Sequence, residues 1–262
     1  MKAAELFDVN GKITFVTGAA MGIGFGLAEV MADNGSHVVL SDMDGPALDE
    51  AVARLKDRGL SVEGVTLDVG ETDRLHATVD KIVADHGRID VVFANAGASA
   101  GPGFAFGSGY LHTVERATWD RVIEINLTSV FETIRAASRH MKEQKDGRIV
   151  AIASIAGLKS EEMVGYAYGA SKAGVINLVK HAARELAEYN ILVNAIAPGA
   201  FFTNIAGGRL KIPEVREKFA EMSLLKRVAD VDELKGLALY LASPAGSFMT
   251  GVAIPLDGGA IV

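Results

Sequence analysis

The chain has 262 residues, 49% of them hydrophobic, and no cysteine, so it can bury a large core without disulfides and cannot use thiolate metal ligands or a thiol nucleophile. A net charge of −7, with no compensating basic patch, weighs against nucleic acid and anionic membranes as partners. Residues 1–11 lack a signal-peptide core, and no apolar run approaches the ~20 residues of a spanning helix, so we expect a cytoplasmic protein.

Short apolar runs typical of β-strands alternate along the chain with segments of helical periodicity. The predicted strands are Ile13–Thr17, His37–Ser41, Val62–Leu67, Ile89–Phe93, Arg148–Ala153, Ile191–Ile196 and Val252–Pro255. The predicted helices are Ile23–Asn34, Pro46–Asp57, Thr72–His86, Thr118–Lys142, Ala170–Tyr189 and Val231–Leu241. This alternation predicts an α/β fold, a single doubly wound domain over residues 1–262 with a parallel sheet of about seven strands and helices on both faces.

Two stretches interrupt the alternation. Ala98 to Tyr110 is rich in glycine, and Thr203 to Met222 is polar and interrupted by Pro213. Both follow predicted strands at their carboxyl ends, the edge where open α/β sheets bind ligands. We therefore expect substrate loops near residues 98–112 and 200–225, with plain surface excursions as the alternative.

A glycine-rich turn lies where the first predicted strand ends and the first helix begins. Gly18, Gly22 and Gly24 follow the spacing G-x-x-x-G-x-G. Glycines let the backbone approach a pyrophosphate closely, and a helix amino-terminus supplies free N–H groups and a positive dipole end. The spacing differs from the commoner G-x-G-x-x-G, but its strand–turn–helix context favours a dinucleotide site over a purely structural turn.

Asp42 follows the second predicted strand, twenty-four positions after Gly18. That spacing is close to the ~20 positions expected for an acid that binds the ribose hydroxyls of a dinucleotide. A carboxylate there accepts a hydrogen bond from the adenosine 2′-hydroxyl and repels a 2′-phosphate, and no Arg or Lys occurs from Ile13 to Ser41 to neutralise that phosphate. These features predict NAD rather than NADP; the alternative is an acidic strand-end residue that faces water.

Tyr168 and Lys172 stand at i and i+4 in a segment of helical periodicity, and therefore on one face. A phenol titrates near pH ~10, too high to exchange protons readily at neutral pH. A nearby ammonium favours the phenolate and can lower that pKa by roughly 1–3 units. We therefore expect a lowered Tyr168 pKa and an acid/base role on an alcohol oxygen, with a surface ring beside a solvated amine as the alternative.

The ordered set of motifs resembles the short-chain dehydrogenase/reductase family, in its NAD-preferring branch with a T-G-x-x-x-G-x-G turn. The resemblance extends over nearly the whole chain and rests on these residues: Thr17 to Gly24, Asn95-Ala96-Gly97, Asn126, Ser154, Tyr168 with Lys172, Pro198-Gly199 and Asp257-Gly258-Gly259. It implies a single-domain Rossmann fold. The spacing from Ser154 to Tyr168 is one residue longer than the family's most common spacing, which leaves the shape of the substrate site open.

The resemblance also implies the role of each catalytic residue. Ser154 would hydrogen-bond the substrate oxygen, and Tyr168 would be the general acid/base. Lys172 would hold the nicotinamide ribose and lower the Tyr168 pKa, and Asn126 would anchor a water that links Lys172 to solvent.

A larger set of residues would bind the cofactor, again by resemblance. These are Gly18, Met21, Gly22, Ile23, Gly24, Asp42, Asp68, Val69, Asn95, Ala96, Gly97, Tyr168, Lys172, Pro198, Gly199 and Thr203. Asp68 and Val69 would border the adenine, residues 95–97 the adenosine ribose, and Pro198-Gly199 with Thr203 the nicotinamide carboxamide.

The implied reaction is the NAD-dependent interconversion of a secondary alcohol and a ketone. One alternative is a ketoacyl-thioester reductase of the same family, for which Arg209, Lys211, Arg216 and Lys218 form the obvious basic cluster. Another is a non-catalytic dinucleotide-binding sensor. No strand precedes Gly169-Ala170-Ser171 and no convincing Asp/His pair follows, which argues against a serine hydrolase. The six histidines show no H-x-x-x-H or H-E-x-x-H spacing, so no metal site is predicted.

Two predicted helices carry apolar residues beyond a single stripe, which indicates a partner helix and hence a homo-oligomer, a dimer or tetramer by resemblance. Deep burial within the monomer is the alternative. The residues are Val122, Ile123, Ile125, Leu127, Val130, Phe131, Ile134, Val175, Ile176, Leu178, Val179, Ala182, Ala183 and Leu186. Five loop side chains could line the substrate pocket and would favour an apolar or cyclic substrate: Phe104, Phe106, Met163, Phe201 and Phe202.

Overall fold

The structure is a computed structural model that describes residues 2–203 and 208–262, so part of the predicted loop near 200–225 lies outside the described residues. Its strands are β1 (Ile13–Thr17), β2 (His37–Asp42), β3 (Val62–Thr66), β4 (Val91–Ala94), β5 (Gly147–Ile152), β6 (Ile191–Pro198) and β7 (Ala253–Leu256). Its helices are α1 (Ala3–Leu6), α2 (Gly22–Asp33), α3 (Gly45–Lys56), α4 (Thr72–His86), α5 (Arg116–Ile123), α6 (Ser129–Gln144), α7 (Tyr166–Leu186), α8 (Pro213–Met222) and α9 (Asp232–Ala242). None of these helices has the length and apolar composition needed to cross a membrane.

The seven strands form one parallel sheet in the order β3-β2-β1-β4-β5-β6-β7. The order reverses between β1 and β4, which opens a crevice at the carboxyl ends of these two strands, where doubly wound sheets bind ligands. Gly18 directly follows β1 and Asn95 directly follows β4, so the reversal brings these two residues together. The predicted doubly wound Rossmann sheet is confirmed.

The central strands β1 and β4 are buried at every residue, and because alternate residues point to opposite sides, the sheet is covered on both faces. Phe15 packs in a cluster with α4, α6 and α7, whereas its neighbour Val16 packs in a second cluster with α2, α3 and α9. These two layers hold the carboxyl edge of the sheet rigid, so residues that follow the strands have fixed positions.

The helix predicted over Thr118–Lys142 is not continuous. α5 passes through a wide π-type turn, Glu124–Thr128, before α6 begins. The N–H of Ser129 bonds to the carbonyl of Glu124, so one extra residue is accommodated without ending the helix. Apolar periodicity over 25 residues does not reveal a single inserted residue, and such turns often occur at functional sites. Asn126 lies in this turn and is fully buried.

Most of the broad apolar band on α5–α7 is covered within the chain. Val122, Ile125 and Val130 are buried, and Leu127 packs so closely on α7 that a Cβ at Gly174 would lie 2.9 Å from its Cδ2. Phe131 is the large apolar residue of this set that stays exposed, at 45%. Burial within the monomer, the alternative to a partner helix, therefore explains most of the apolar residues on α5–α7.

The glycine-rich insertion at 98–112 packs on the loop between β5 and α7. Pro102 forms an antiparallel bridge with Val164. The N–H groups of Gly103 and Ala105 donate to the carbonyls of Met163 (3.2 Å) and Glu162 (3.1 Å). The insertion thereby holds the segment that follows Ser154.

Candidate active site

A cavity of about 700 Å³ lies at the carboxyl edge of the sheet. Its walls include every residue that the sequence predicts to bind the cofactor, together with Ser154. Of the predicted site residues, all of which the structure describes, Asn126 alone does not line the cavity. The topology therefore gathers residues from all seven strand ends into one space of the size that small-molecule sites usually have.

The glycine turn is shaped so that side chains do not fit. Gly18 and Gly22 adopt φ values of +65° and +58°, which glycine tolerates best. A Cβ at Gly24 would overlap the carbonyl oxygen of Gly18, and a Cβ at Gly18 would lie 2.9 Å from the Cα of Ala96. The bare backbone and the amino-terminus of α2 thus face the cavity, as pyrophosphate binding requires.

Asn95 and Thr17 hold this turn in place. The Asn95 Nδ2 donates to the carbonyl oxygens of Thr17 and Gly18, both at 2.9 Å. The Thr17 Oγ1 in turn accepts from the N–H groups of Asn95 (3.0 Å) and Ala96 (3.1 Å). The amide group of Asn95 is therefore committed to the protein, and its contribution to the site is the position of the turn.

Asp42 stands at the end of β2 and faces the cavity. Its Oδ2 accepts from the N–H of Ala20 and its Oδ1 from the N–H of Asp44, each at 3.1 Å. Each carboxylate oxygen can accept a further hydrogen bond, so the oriented group fits two ribose hydroxyls. The glycine cradle and this carboxylate together fit an adenine dinucleotide.

Ser154, Tyr168 and Lys172 also line the cavity and lie next to one another. Ser154 follows β5 and its Oγ accepts from the N–H of Ala156 at 3.1 Å, at the start of a 3₁₀ turn. Gly157 ends that turn against α7, where a Cβ would lie 2.6 Å from the carbonyl carbon of Lys172. The Lys172 Nζ lies 5.7 Å from the centre of the Tyr168 ring and donates to the carbonyl of Ile152 at 2.7 Å.

Burial controls the protonation of this group. It raises the pKa of the Tyr168 phenol, and the hydroxyl of Ser154 opposes this increase. Burial also lowers the pKa of Lys172 from 10.5 to about 8. The prediction of a lowered Tyr168 pKa is wrong, because desolvation of the phenolate outweighs its stabilisation by Ser154. Desolvation also disfavours the charged form of Lys172.

Asn126 sits behind the cavity wall. Its Oδ1 accepts from the N–H of Ala98 at 2.7 Å, and its Nδ2 donates to the carbonyl of Ala98 at 2.9 Å and to Ser171 at 3.3 Å. A Cβ at Gly97 would lie 3.4 Å from Asn126 Oδ1 and 3.6 Å from Lys172 Nζ. The side chain thus fixes the backbone beside the ammonium, and its predicted link to water stays a prediction.

Glu161 is a cavity residue that sequence reasoning missed. Its side chain is only 7% exposed, and its Oε2 has no hydrogen-bond partner among the described residues. The nearest cation is Lys159, whose Nζ lies 3.9 Å away. Burial raises the pKa of Glu161, and Lys159 opposes this increase. The only signal in the sequence was an acidic residue in the loop that follows Ser154.

The apolar part of the cavity differs from the prediction. Met163 and Phe201 line it, whereas Phe104 and Phe106 are absent from its described walls and contact Tyr166 and Lys218 instead. Phe202 is also absent from these walls. Residues of the second loop that the sequence did not single out complete the wall: Leu210, Phe219, Met222 and Leu225.

Comparison with known proteins places the chain in one family. A family model described as enoyl-(acyl carrier protein) reductase matches residues 18–260. The 3-oxoacyl-acyl-carrier-protein reductase FabG of Thermotoga maritima is 35% identical over 97% of this chain and 99% of its own length. The cis-4-hydroxycyclohexanecarboxylate dehydrogenase of Sinomonas cyclohexanicum is 37% identical over 95% of this chain and 96% of its own length.

A solved structure agrees with these relatives. The gluconate 5-dehydrogenase of Burkholderia cenocepacia, in complex with NADP and tartrate, superposes with a TM-score of 0.90 and 29% identity, covering 99% of this chain and 98% of its own. The chain therefore belongs to the short-chain dehydrogenase/reductase family, oxidoreductases that bind a nicotinamide dinucleotide and act on CH–OH groups.

Proposed function

We propose that the protein is an NAD(H)-dependent enzyme that interconverts a secondary alcohol and a ketone within one domain, with residues near 98–112 and 200–225 forming its substrate loops. One observation carries the proposal. Ser154, Tyr168 and Lys172 line the same cavity as the glycine turn and the oriented carboxylate of Asp42.

The chemistry divides between cofactor and protein. A nicotinamide dinucleotide supplies or accepts the hydride when bound. During oxidation Tyr168 acts as the phenolate and takes the hydroxyl proton, and during reduction it acts as the phenol and gives that proton to the ketone oxygen. Ser154 donates a hydrogen bond to the same substrate oxygen and stabilises charge as it develops there.

Lys172 supports the proton transfer from behind Tyr168. A pKa of about 8 lets its amine exchange a proton at neutral to mildly alkaline pH. Its charged form favours the Tyr168 phenolate that oxidation needs, and its ammonium would hold the ribose hydroxyls of the cofactor. Asn126 keeps the backbone at Ala98 beside it.

Tyr168→Phe tests the proposal. The variant keeps the shape of the ring and removes the hydroxyl that carries the proton, so we expect kcat to fall by roughly 10²–10⁴-fold. NADH binding, followed by fluorescence titration, should stay within about twofold of the wild-type value because the glycine turn is untouched. Turnover is measured by NADH absorbance against a panel of secondary alcohols and ketones. An unchanged kcat would remove Tyr168 from the mechanism.

The substrate we propose is polar near its reacting carbon. Glu161 leaves a buried carboxylate oxygen without a hydrogen-bond partner among the described residues of the cavity wall, and a substrate hydroxyl would satisfy it. The names of three relatives, which refer to gluconate, keto-gluconate and hydroxycyclohexanecarboxylate, also support a substrate with polar groups. The panel therefore compares polyhydroxy substrates with unsubstituted cyclic alcohols.

A ketoacyl-thioester reductase is the second candidate, because relatives named FabG are 35% identical to this chain. Lys211, Arg216 and Lys218 are exposed, and α8, which carries Arg216 and Lys218, also supplies Phe219 and Met222 to the cavity wall. Faster turnover of acetoacetyl-coenzyme A than of any free ketone would favour this reading. NADH binding without turnover of any compound would favour a non-catalytic sensor.

A further inference from the structure

Two histidines and a glutamate meet at the opposite end of the molecule from the cavity. His37 begins β2, Glu63 lies in β3, and His86 ends α4. Five residue steps along β2 separate His37 from Asp42, about 17 Å at the usual rise of a strand. The cluster is therefore separate from the site described above.

The sheet register explains why these side chains converge. Val39 pairs with Glu63, and His37 lies two residues before Val39, so His37 and Glu63 point to the same face of the sheet. Val39 packs in the cluster that contains the apolar residues of α4, so this is the face that α4 covers. The last turn of α4 then places His86 over the two strand residues.

The distances suit a single metal ion. The Oε1 of Glu63 lies 3.7 Å from the Nε2 of His37 and 3.1 Å from the Nε2 of His86. One ligand atom from each residue lies within 4.8 Å of the others. Bonds of 2.0–2.1 Å in a tetrahedral zinc site separate neighbouring ligands by roughly 3.3–3.4 Å, so small side-chain adjustments would bring all three atoms onto one ion.

The hydrogen bonds of His37 and the position of His86 favour a bound cation between these three side chains. The Nε2 of His37 is buried without a hydrogen-bond partner among the described residues, while its Nδ1 is held by the hydroxyl of Ser61 at 2.7 Å. That arrangement leaves one ring nitrogen available and fixes the orientation of the ring, as in histidines that bind metals. His86 lies at the negative carboxyl end of α4, which also favours a cation.

We propose that His37, Glu63 and His86 bind a divalent transition metal, best matched by Zn²⁺, with water completing the coordination. The side chains are 23%, 43% and 22% exposed, so the open side faces solvent. Two histidines and one carboxylate are a donor set that zinc accepts. The ion joins edge strand β3 to β2 and α4, and its role is structural.

The test uses the full chain, produced without a histidine tag, treated with a chelator and titrated with ZnCl₂ by calorimetry. We expect one equivalent of Zn²⁺ per chain at this site and a higher Tm with the metal. His86→Ala and the isosteric Glu63→Gln should each weaken binding at least tenfold, because each removes one of three ligands. Both variants should match the wild-type Tm within a few degrees in chelator, which shows that they fold.

His76→Ala is the matched control. His76 is also on α4 and also bonds a carboxylate, with its Nε2 2.7 Å from Glu132, but no second histidine joins that pair among the described residues. This variant should bind Zn²⁺ like the wild type. The proposal is wrong if Zn²⁺ fails to bind, if His86→Ala and Glu63→Gln bind it normally, or if His76→Ala loses as much affinity as they do.

Discussion

Lys172 connects the sequence motif to the physical chemistry of the site. It is an amine buried at 3% exposure whose described hydrogen-bond partner is the neutral carbonyl of Ile152. A buried ammonium without a carboxylate costs folding free energy, and the lowered pKa of about 8 expresses that cost. We therefore infer that the protein keeps a destabilising residue for the sake of its site.

This cost predicts how stability depends on pH. Between pH 8 and 10.5 the unfolded chain holds the Lys172 proton and the folded chain has released it, so the free energy of unfolding rises with pH in this window. The folded and unfolded pKa values differ enough for a gain of roughly 3 kcal/mol. Lys172→Met lacks this group, so the wild type should gain stability relative to the variant as the pH rises.

Urea unfolding of both proteins without cofactor, at several pH values from 7.5 to 10.5, measures this difference. Lysines and tyrosines far from residue 172 titrate in the same window, but their contributions cancel in the comparison. Tyr168 lies beside Lys172 and titrates with it, so Tyr168→Phe is introduced into both proteins. If the free energy of unfolding changes with pH equally in both proteins, Lys172 is not the buried ammonium that the lowered pKa indicates.

Asp42 is the residue that we expect to discriminate between cofactors. Asp42→Ala removes the carboxylate that accepts from ribose hydroxyls and repels a 2′-phosphate, so the ratio of kcat/KM with NAD to that with NADP should fall at least tenfold. Asp44→Ala is the control, because Asp44 caps α3 through the N–H of Ala47 and is not among the described residues of the cavity wall. An unchanged ratio in Asp42→Ala would assign the preference to other residues.

At the scale of elements, the site depends on backbone that passes closer than side chains permit. The carbonyl of Gly18 occupies the space of a Cβ at Gly24, and Asn95 ties the same carbonyl to the end of β4. The π-type turn at Glu124–Thr128 serves a related purpose, because it directs Asn126 inward to the backbone of Ala98. In both cases a contact between two distant parts of the fold fixes the position of a loop at the site.

Gly24→Ala tests the first of these devices. The added methyl must displace the Gly18 carbonyl, so we expect at least a tenfold loss of NADH affinity and a destabilisation of about 1–3 kcal/mol. Gly236→Ala, in the interior of α9 with no atom within 4 Å of the new methyl, should instead stabilise the protein by about 0.5–1 kcal/mol and leave binding unchanged. Fluorescence titration and urea unfolding measure both quantities. Normal NADH binding by Gly24→Ala would show that the turn can relax.

At the scale of the whole molecule, the chain buries most of the apolar surface that had indicated a partner. Phe131 on α6 and Trp119 on α5 stay exposed at 45% and 37%. We propose a homo-oligomer, a dimer or tetramer, that covers this helical face. These two exposed aromatic side chains support a partner more than the width of the apolar band does.

Light scattering after size-exclusion chromatography tests the assembly. The wild type should give a multiple of the 27.5 kDa chain mass, and Phe131→Glu should shift the mass towards 27.5 kDa, because a charge at an apolar contact is costly. Circular dichroism checks that the variant is folded. A monomeric wild type would end the oligomer proposal, whereas an oligomeric Phe131→Glu would place the contact elsewhere.

Three features can be predicted from the amino-acid sequence: the alternation of strands and helices, the doubly wound sheet, and the residues that gather at its carboxyl edge. These features depend on local periodicity and on turn chemistry at strand ends, and a parallel sheet brings all such ends to one edge. Gly18, Asp42 and Ser154 could therefore be assigned to one site before their positions were known.

Properties that arise from packing between distant segments could not be predicted from the sequence and are visible only in the folded structure. Desolvation raises the Tyr168 pKa although the amine of Lys172 lies only four residues along the helix. Phe104 contacts Tyr166 instead of lining the cavity. Glu161 is buried in a loop whose next two carbonyls are bonded by the distant 98–112 insertion. His37, Glu63 and His86 meet because β2, β3 and α4 are adjacent in space. Distance and burial across the fold are set by packing, and no local pattern in the chain encodes them.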